Sequence, residues 1–226
     1  LVYDAREALP NCLVWRAFGA TECPTLTVAP EGQGDIQHAA ETDGRIWNAH
    51  VRIEDLDTGS EVDEGEEGEV VAKADNMALG YSKTVDNETA YTYDGYFRTG
   101  DLGRIVDRNF LVITGRKKDL IIRSGENISA KEIEDVLVAL NGVMDVAVVA
   151  AKSDKTGECV GAVIVSDSQA QITLAELAEA VVSSGLAKQK CPERLLLVDA
   201  LPMTVAGKIR KDILREWFAE DRDLIS

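Results

Sequence analysis

The stretch that most restricts how this chain can fold runs from Thr99-Gly100-Asp101 to Gly115-Arg116-Lys117-Lys118. Between its ends, Arg104-Ile105-Val106 and Phe110-Leu111-Val112-Ile113 flank the polar triplet Asp107-Arg108-Asn109, which predicts two short strands joined by a turn. Such a hairpin returns Arg116 to the level of Asp101. Asp101 sits beside Gly100, in a predicted glycine turn. An ionised Asp is an acceptor-only group that can take both hydroxyls of a sugar diol, and a guanidinium is a planar fork of donors. Side by side they suit one small ligand with matching hydrogen-bonding needs. The same residues also fit an ordinary salt-bridged surface turn, and an isolated Thr-Gly-Asp implies no more than that.

Charge changes at the same place. Residues 1–115 carry 22 acidic and 9 basic side chains, net -13, whereas residues 116–226 carry 18 and 15, net -3. The whole chain, at 226 residues and 45% hydrophobic, has material for one large domain or two small ones. Its formal charge of -16 excludes a nucleic-acid polymer as main partner, since phosphate binding needs a basic face. Cys12, Cys23, Cys159 and Cys191 include no Cys-x-x-Cys pair, which disfavours zinc and thioredoxin-like chemistry and leaves reduced thiols in a cytoplasmic protein as the expectation. His38 and His50 have no metal-spaced partners and read as surface or packing residues. No apolar run reaches the roughly 18 residues of a transmembrane segment. Leu1-Val2-Tyr3-Asp4 is not a leader sequence, and a chain opening this way reads as the middle of something longer.

In chain order, residues 12–18 predict a strand ending at Phe18, followed by the polar turn Gly19-Ala20-Thr21-Glu22. A Thr21 hydroxyl can bond a phosphate oxygen and a Glu22 carboxylate can hold Mg2+. On these residues alone a solvated Thr/Glu turn is the plainer reading. Residues 29–45 read as loop, and the Gly-x-Gly at Gly32-Gln33-Gly34 is no dinucleotide fingerprint. Ile46–Ile53 and Gly68–Ala74 predict strands around the acidic turn Asp55–Glu67, and residues after Tyr81 lean towards helix. Beyond Arg116 the order is hairpin, helix, two strands, helix, strand, helix. Ser129 with Glu132 and Thr173 with Glu176 predict capping boxes; Ile209, Ile213, Leu214 and Trp217 predict one face of a last helix. Lys208, beside Gly207, reads either as a mobile phosphate clamp or as an exposed lysine at a helix start.

Taken together, Phe18-Gly19-Ala20-Thr21-Glu22, Gly68-Glu69-Val70 through Gly80-Tyr81, Tyr96 to Leu102, Gly115 to Glu134 and Pro202 to Lys208 resemble the adenylate-forming superfamily of acyl-CoA synthetases, luciferases and peptide-synthetase adenylation domains. The resemblance implies an α+β fold: residues 1–117 as the β-rich end of the large AMP-binding domain and residues 118–226 as the small mobile C-terminal lid domain. It implies that Phe18, where a Tyr is usual, flanks adenine with Gly19 and Ala20 beside it. Thr21 then contacts phosphate, Glu22 the Mg2+, and Asp101 and Arg116 the ribose, with Ile113 packing nearby. Lys118 falls at the family's hinge, Lys208 at the lysine of the adenylation transition state, and Arg123, Ser124, Gly125 and Glu126 in the loop exchanged with it when coenzyme A binds.

The implied reaction joins a carboxylic acid to ATP, giving acyl-AMP and pyrophosphate, and then to the CoA thiol. A lysine hinge and the Gly125-Glu126-Asn127-Ile128 run look more like acyl-CoA synthetases acting on fatty or other organic acids than like carrier-loading adenylation domains. A non-catalytic nucleotide-binding or interaction module is the third reading. The family's phosphate loop has no counterpart before Phe18, so the expectation is an incomplete enzyme whose upstream part is missing, inactive in adenylation by itself.

Overall fold

The computed structural model describes residues 1–32, 35–167 and 172–220, and the chain divides into two compact units, Leu1–Lys117 and Lys118–Ser226. The first contains α1 (Val2–Ala8), β1 (Thr27–Val28), α2 (Ile36–Glu41), β2 (Arg45–Ile46), β3 (Ala49–Glu54), β4 (Gly68–Ala74), α3 (Thr84–Ala90), β5 (Phe97–Val106) and β6 (Phe110–Arg116). Its six strands form one sheet in the order β1-β2-β6-β5-β4-β3. The anticipated hairpin is β5–β6, and Asp107 and Arg108 at its turn have φ of 46° and 67°, the sense that matches the twist of paired strands.

Three local expectations fail here. Residues 12–18 form no strand: the segment is held by single bonds, Arg16 Nε to Thr42 O at 3.1 Å and Phe18 N to Thr27 Oγ1 at 2.7 Å, rather than by a ladder. The stretch 29–45, read as loop, contains α2, because the Asp35 side chain accepts from His38 N and caps six residues of helix; Gln33 and Gly34 lie outside the described residues. The single strand expected over Ile46–Ile53 is two strands. Asn48, at φ 50°, breaks it, so that β2 joins β6 while β3 forms the far edge beside β4.

His38 fastens α2 to the hairpin turn. Its ring stacks on Phe110 with centroids 3.8 Å apart, Nδ1 lies 2.7 Å from Asp35 Oδ2, and Nε2 lies 3.0 Å from Asp107 Oδ2. The Asp107 bond, helped by Asp35 and opposed by partial burial, raises the imidazole above its usual 6.5. A group raised on folding contributes stability that is complete below 6.5 and lost as pH rises through the folded value. Thermal unfolding of wild type and His38→Asn from pH 5.5 to 8.5 is therefore expected to show a wild-type advantage that shrinks with rising pH. A difference constant across that range would refute the assignment.

The second unit contains β7 (Leu120–Arg123), β8 (Glu126–Ser129), α4 (Ala130–Leu137), β9 (Val143–Ser153), β10 (Gly157–Ser166), α5 (Leu174–Ser183), β11 (Arg194–Leu197) and α6 (Lys211–Ala219). Strand β10 is central: β9 runs antiparallel along it, β11 parallel, and β7 meets its start at Gly157↔Arg123. Period-two alternation splits the buried strand residues between two faces. Val146, Val148, Val160, Ala162 and Ile164 pack with Ile133 and Leu137 of α4 and Leu177 and Val181 of α5. Ala147, Val149, Ala151 and Val163 pack with Leu214 and Phe218 of α6. A Cβ at Gly161 would lie 2.8 Å from the Phe218 ring, so the glycine makes room for the helix.

Both predicted helix starts are present, with different chemistry. Thr173 and Glu176 form the full reciprocal box. The Ser129 side chain makes no cap bond, because Ser129 closes β8, and Glu132 instead pairs with Lys190 Nζ at 2.5 Å. The last helix begins after Ile209, which bridges to Met203. It fully buries Leu214 and Phe218, and Ile209 and Trp217, partly buried, pack against the same core, while Ile213 is not among the residues of that cluster. Among the described residues no helix is long and apolar enough to cross a membrane.

Candidate functional site

In the first unit the Phe18–Thr27 segment forms a closed turn. Leu26 N and Thr27 N both donate to Phe18 O at 3.2 Å, and Ala20 and Cys23 exchange both backbone bonds at 3.0 Å. Gly19 is required by close approach, since a Cβ there would lie 2.2 Å from Pro24 O. Thr21 is exposed at the tip, and Glu22, half-buried, accepts at Oε1 from the Tyr81 phenol at 2.5 Å. Phe18 and Ile113 both pack against the cluster of Ile53, Val70 and Leu111. Ile113 N in turn donates to Asp43 Oδ2 at 2.8 Å.

Asp101 lies inside a continuous strand, not in a turn. The β4–β5 register passes from Glu69↔Leu102 to Val71↔Arg98, so Thr99-Gly100-Asp101 bulge outward opposite Val70. Gly100 takes φ 71°, a conformation that costs other residues. Thr99 pins the bulge: its Oγ1 donates to Val70 O at 2.7 Å and accepts from Asp101 N at 3.1 Å. Asp101 pairs in register with Arg116, and Arg116 Nε stands 2.8 Å from Asp101 Oδ1. The carboxylate is 9% exposed and the guanidinium 49%, so a fixed acceptor lies beside a fork still open to solvent. A diol meeting this pair finds acceptor and donors together.

Beneath the bulge lies a charge network to which the sequence pattern gives no role. Glu54 and Glu69 face each other across β3 and β4, both buried, and Arg98 Nη1 reaches them at 3.0 and 3.1 Å. Lys117 adds a bond to Glu69 at 3.0 Å, and Arg52 one to Glu54 at 2.6 Å. Arg52 also holds the Asp94 carboxyl well below the usual carboxylate range. The Arg98 of the Tyr96–Leu102 motif and the Glu69 of the Gly68-Glu69-Val70 motif are the signals in the sequence; single-sequence spacing does not reveal that they meet.

In the second unit Lys208 sits in a loop closed by its own backbone. Thr204 N donates to Lys208 O at 2.8 Å, Lys208 N to Thr204 Oγ1 at 3.1 Å, and Gly207 adopts φ 76°. It precedes α6 by three residues and is not a helix start. Lys118 lies in a 3-10 turn, Lys117–Asp119, where Arg215 Nη2 donates to the Lys118 carbonyl at 3.0 Å and to Asp119 Oδ1 at 2.8 Å. Ser124 and Gly125, with φ of 52° and 87°, make the two-residue turn of the β7–β8 hairpin. Glu126 continues into β8 and accepts from Gln189 Nε2 at 3.2 Å; Arg123 Nε pairs with Glu193 at 2.8 Å, which raises the guanidinium's proton affinity.

Among the described residues no cluster of three or more His, Cys, Asp or Glu could hold a metal ion. Glu22, with Oε1 taken by Tyr81 and Oε2 without a hydrogen-bond partner among the described residues, fits a magnesium ion that draws the rest of its shell from phosphate and water.

Two family models match: the AMP-binding enzyme model over residues 1–82 and the AMP-binding enzyme C-terminal domain over residues 132–208. A salicylyl-CoA synthase / salicylate adenylyltransferase from a Streptomyces species is 38% identical over 94% of this chain and 39% of its own length. ATP-bound MatB from Rhodopseudomonas palustris superposes with a TM-score of 0.81 at 34% identity, over 90% of this chain and 40% of that one. An o-succinylbenzoate CoA synthetase from Bacillus subtilis, solved with its acyl-adenylate intermediate, gives 0.80 at 28% identity, over 95% and 43%. The chain thus spans about 40% of the length of these relatives, falling on their C-terminal part. With an α+β architecture like theirs and both models matched in order, the chain belongs to the AMP-binding enzyme family of adenylate-forming ligases.

Proposed function

We propose that this chain contributes to an AMP-forming acid–thiol ligase, an acyl-CoA synthetase: it helps convert a carboxylic acid and ATP to acyl-AMP and pyrophosphate, and acyl-AMP and CoA to acyl-CoA and AMP. The Asp101–Arg116 pair carries this reading, because a buried acceptor 2.8 Å from a half-open guanidinium suits the ribose of a nucleotide. Phe18, with Gly19 and Ala20, and Ile113 offer the apolar side on which adenine rests. Thr21 gives a hydroxyl to phosphate, and Glu22 is the residue that would hold Mg2+. That ion supplies charge neutralisation at the phosphates when bound. We assign to Lys208 the neutralisation of negative charge that develops on the α-phosphate. We assign the hinge between residues 1–117 and 118–226 to Lys118, and CoA contact to Arg123, Ser124, Gly125 and Glu126. Support for the chemistry comes from relatives whose own names or titles state a CoA ligase activity, bound ATP and a bound acyl-adenylate.

The test is AMP release by the full-length protein that carries this chain, given MgATP and a panel of fatty and aromatic acids, with and without CoA. Acid-dependent AMP stimulated by CoA is the expected result. Turnover only with a phosphopantetheinylated carrier protein would replace CoA ligation by carrier loading. No AMP with any acid would leave a nucleotide-binding module.

A further inference from the structure

Gly80 and Tyr81 belong to one of the matched stretches, yet the roles above leave them unused. In the structure the segment they head returns to the turn that presents Glu22. Ala78 N donates to Glu22 O at 2.7 Å, tying the two backbones together. Asn87 of α3 then grips Tyr81 from both sides: Tyr81 N donates to Asn87 Oδ1 at 2.7 Å, and Asn87 Nδ2 donates to Tyr81 O at 2.9 Å. Gly80, at φ 135°, lets the amide come close, since a Cβ there would lie 3.0 Å from Asn87 Oδ1. From this fixed backbone the Tyr81 phenol donates to Glu22 Oε1 at 2.5 Å, across 59 residues of sequence. A short O–H···O⁻ bond of this kind is charge-assisted and directional.

We propose that Tyr81 is a positioning residue for Glu22: the phenol fixes the carboxylate through Oε1 and leaves Oε2 to a divalent cation bound together with a polyphosphate. This rests on the reading of Glu22 as the magnesium ligand. Without the phenol, a half-exposed glutamate must be ordered as the cation arrives, and losing a partner that orients a metal ligand typically costs about 10–100-fold in metal affinity or activity.

Two measurements test this. In the 226-residue chain labelled with 13Cζ-tyrosine, the Tyr81 resonance, identified by its loss in Tyr81→Phe, is expected to move in Glu22→Ala by more than that of any other tyrosine, including Tyr91, which Glu22 reaches only through its charge. An unmoved signal means the phenol does not rest on Glu22, and the proposal fails. In the full-length protein, the Mg2+ concentration giving half-maximal acid-dependent pyrophosphate release is expected to rise about 10–100-fold in Tyr81→Phe, with kcat at saturating Mg2+ within about threefold of wild type. If Glu22→Ala raises that concentration and Tyr81→Phe leaves it within about twofold, the positioning role is wrong and the reading of Glu22 stands. If neither variant moves it, the magnesium reading of Glu22 fails and the positioning role falls with it.

Discussion

Replacing Lys208 by methionine is expected to lower acyl-adenylate formation in the full-length protein by about 10²–10³-fold, the usual cost of removing one preorganised group from developing oxyanion charge. The structure separates the two parts of this lysine. Its backbone is pinned by two bonds to Thr204, and Gly207 takes the left-handed conformation that closes the loop. Its ammonium is exposed and makes no ion pair or hydrogen bond among the described residues. The charge is therefore held on a defined stalk without being spent on an internal partner. Because no internal contact is lost, the melting temperature should stay within a degree or so of wild type, as for surface changes generally. The half-reactions supply the control. Thioester formation from supplied acyl-AMP and CoA should survive largely intact, since bonds there form and break at the acyl carbon, with AMP as the leaving group, and not at the α-phosphorus. An adenylation rate within threefold of wild type would remove Lys208 from the chemistry.

Much of the fold and of the candidate site is legible in the sequence alone, for physical reasons that differ by residue. The β5–β6 hairpin is readable because strand alternation and a polar turn act locally, and the pairing of Asp101 with Arg116 follows from register alone. The second unit is readable for the same reason: its helices have apolar residues on one face and a true capping box at Thr173. Local pattern misleads where distant bonds override it. Residues 12–18 look like a strand, but their polar groups are met one at a time by Thr27 and Thr42. Asp101 looks like a turn residue because glycine freedom serves bulges as well as turns, and only the β4 register tells them apart. Tyr81 reads as part of a motif without a task, because its partner Glu22 lies 59 residues away. No periodicity encodes such a contact.

Replacing Arg98 by methionine is expected to destabilise the first unit by about 3–5 kcal/mol, the cost of stranding buried charge. Glu54 and Glu69 stand directly opposite each other on neighbouring strands, an arrangement that repels when both are ionised. Each is nearly buried, at 2% and 3% exposure, so water screens them little. Arg98 resolves the conflict from β5, with one nitrogen 3.0 Å from Glu54 Oε2 and 3.1 Å from Glu69 Oε2. The Glu54 oxygen has no aligned hydrogen bond and is held by this charge alone. Arg52 and Lys117 remain in the variant, but each reaches only one of the two carboxylates. Adding Glu54→Gln and Glu69→Gln to Arg98→Met should therefore recover much of the loss, since the repulsion disappears with the charges. Denaturant unfolding can be read for this unit alone in a Trp217→Phe background, which leaves Trp15 and Trp47 as the reporters. Arg98 also adjoins the Thr99-Gly100-Asp101 bulge, so its loss should weaken nucleotide binding even where the unit stays folded. If the single variant unfolds within about 1 kcal/mol of its parent, or the added glutamines destabilise it further, the network is not what holds the bulge in place.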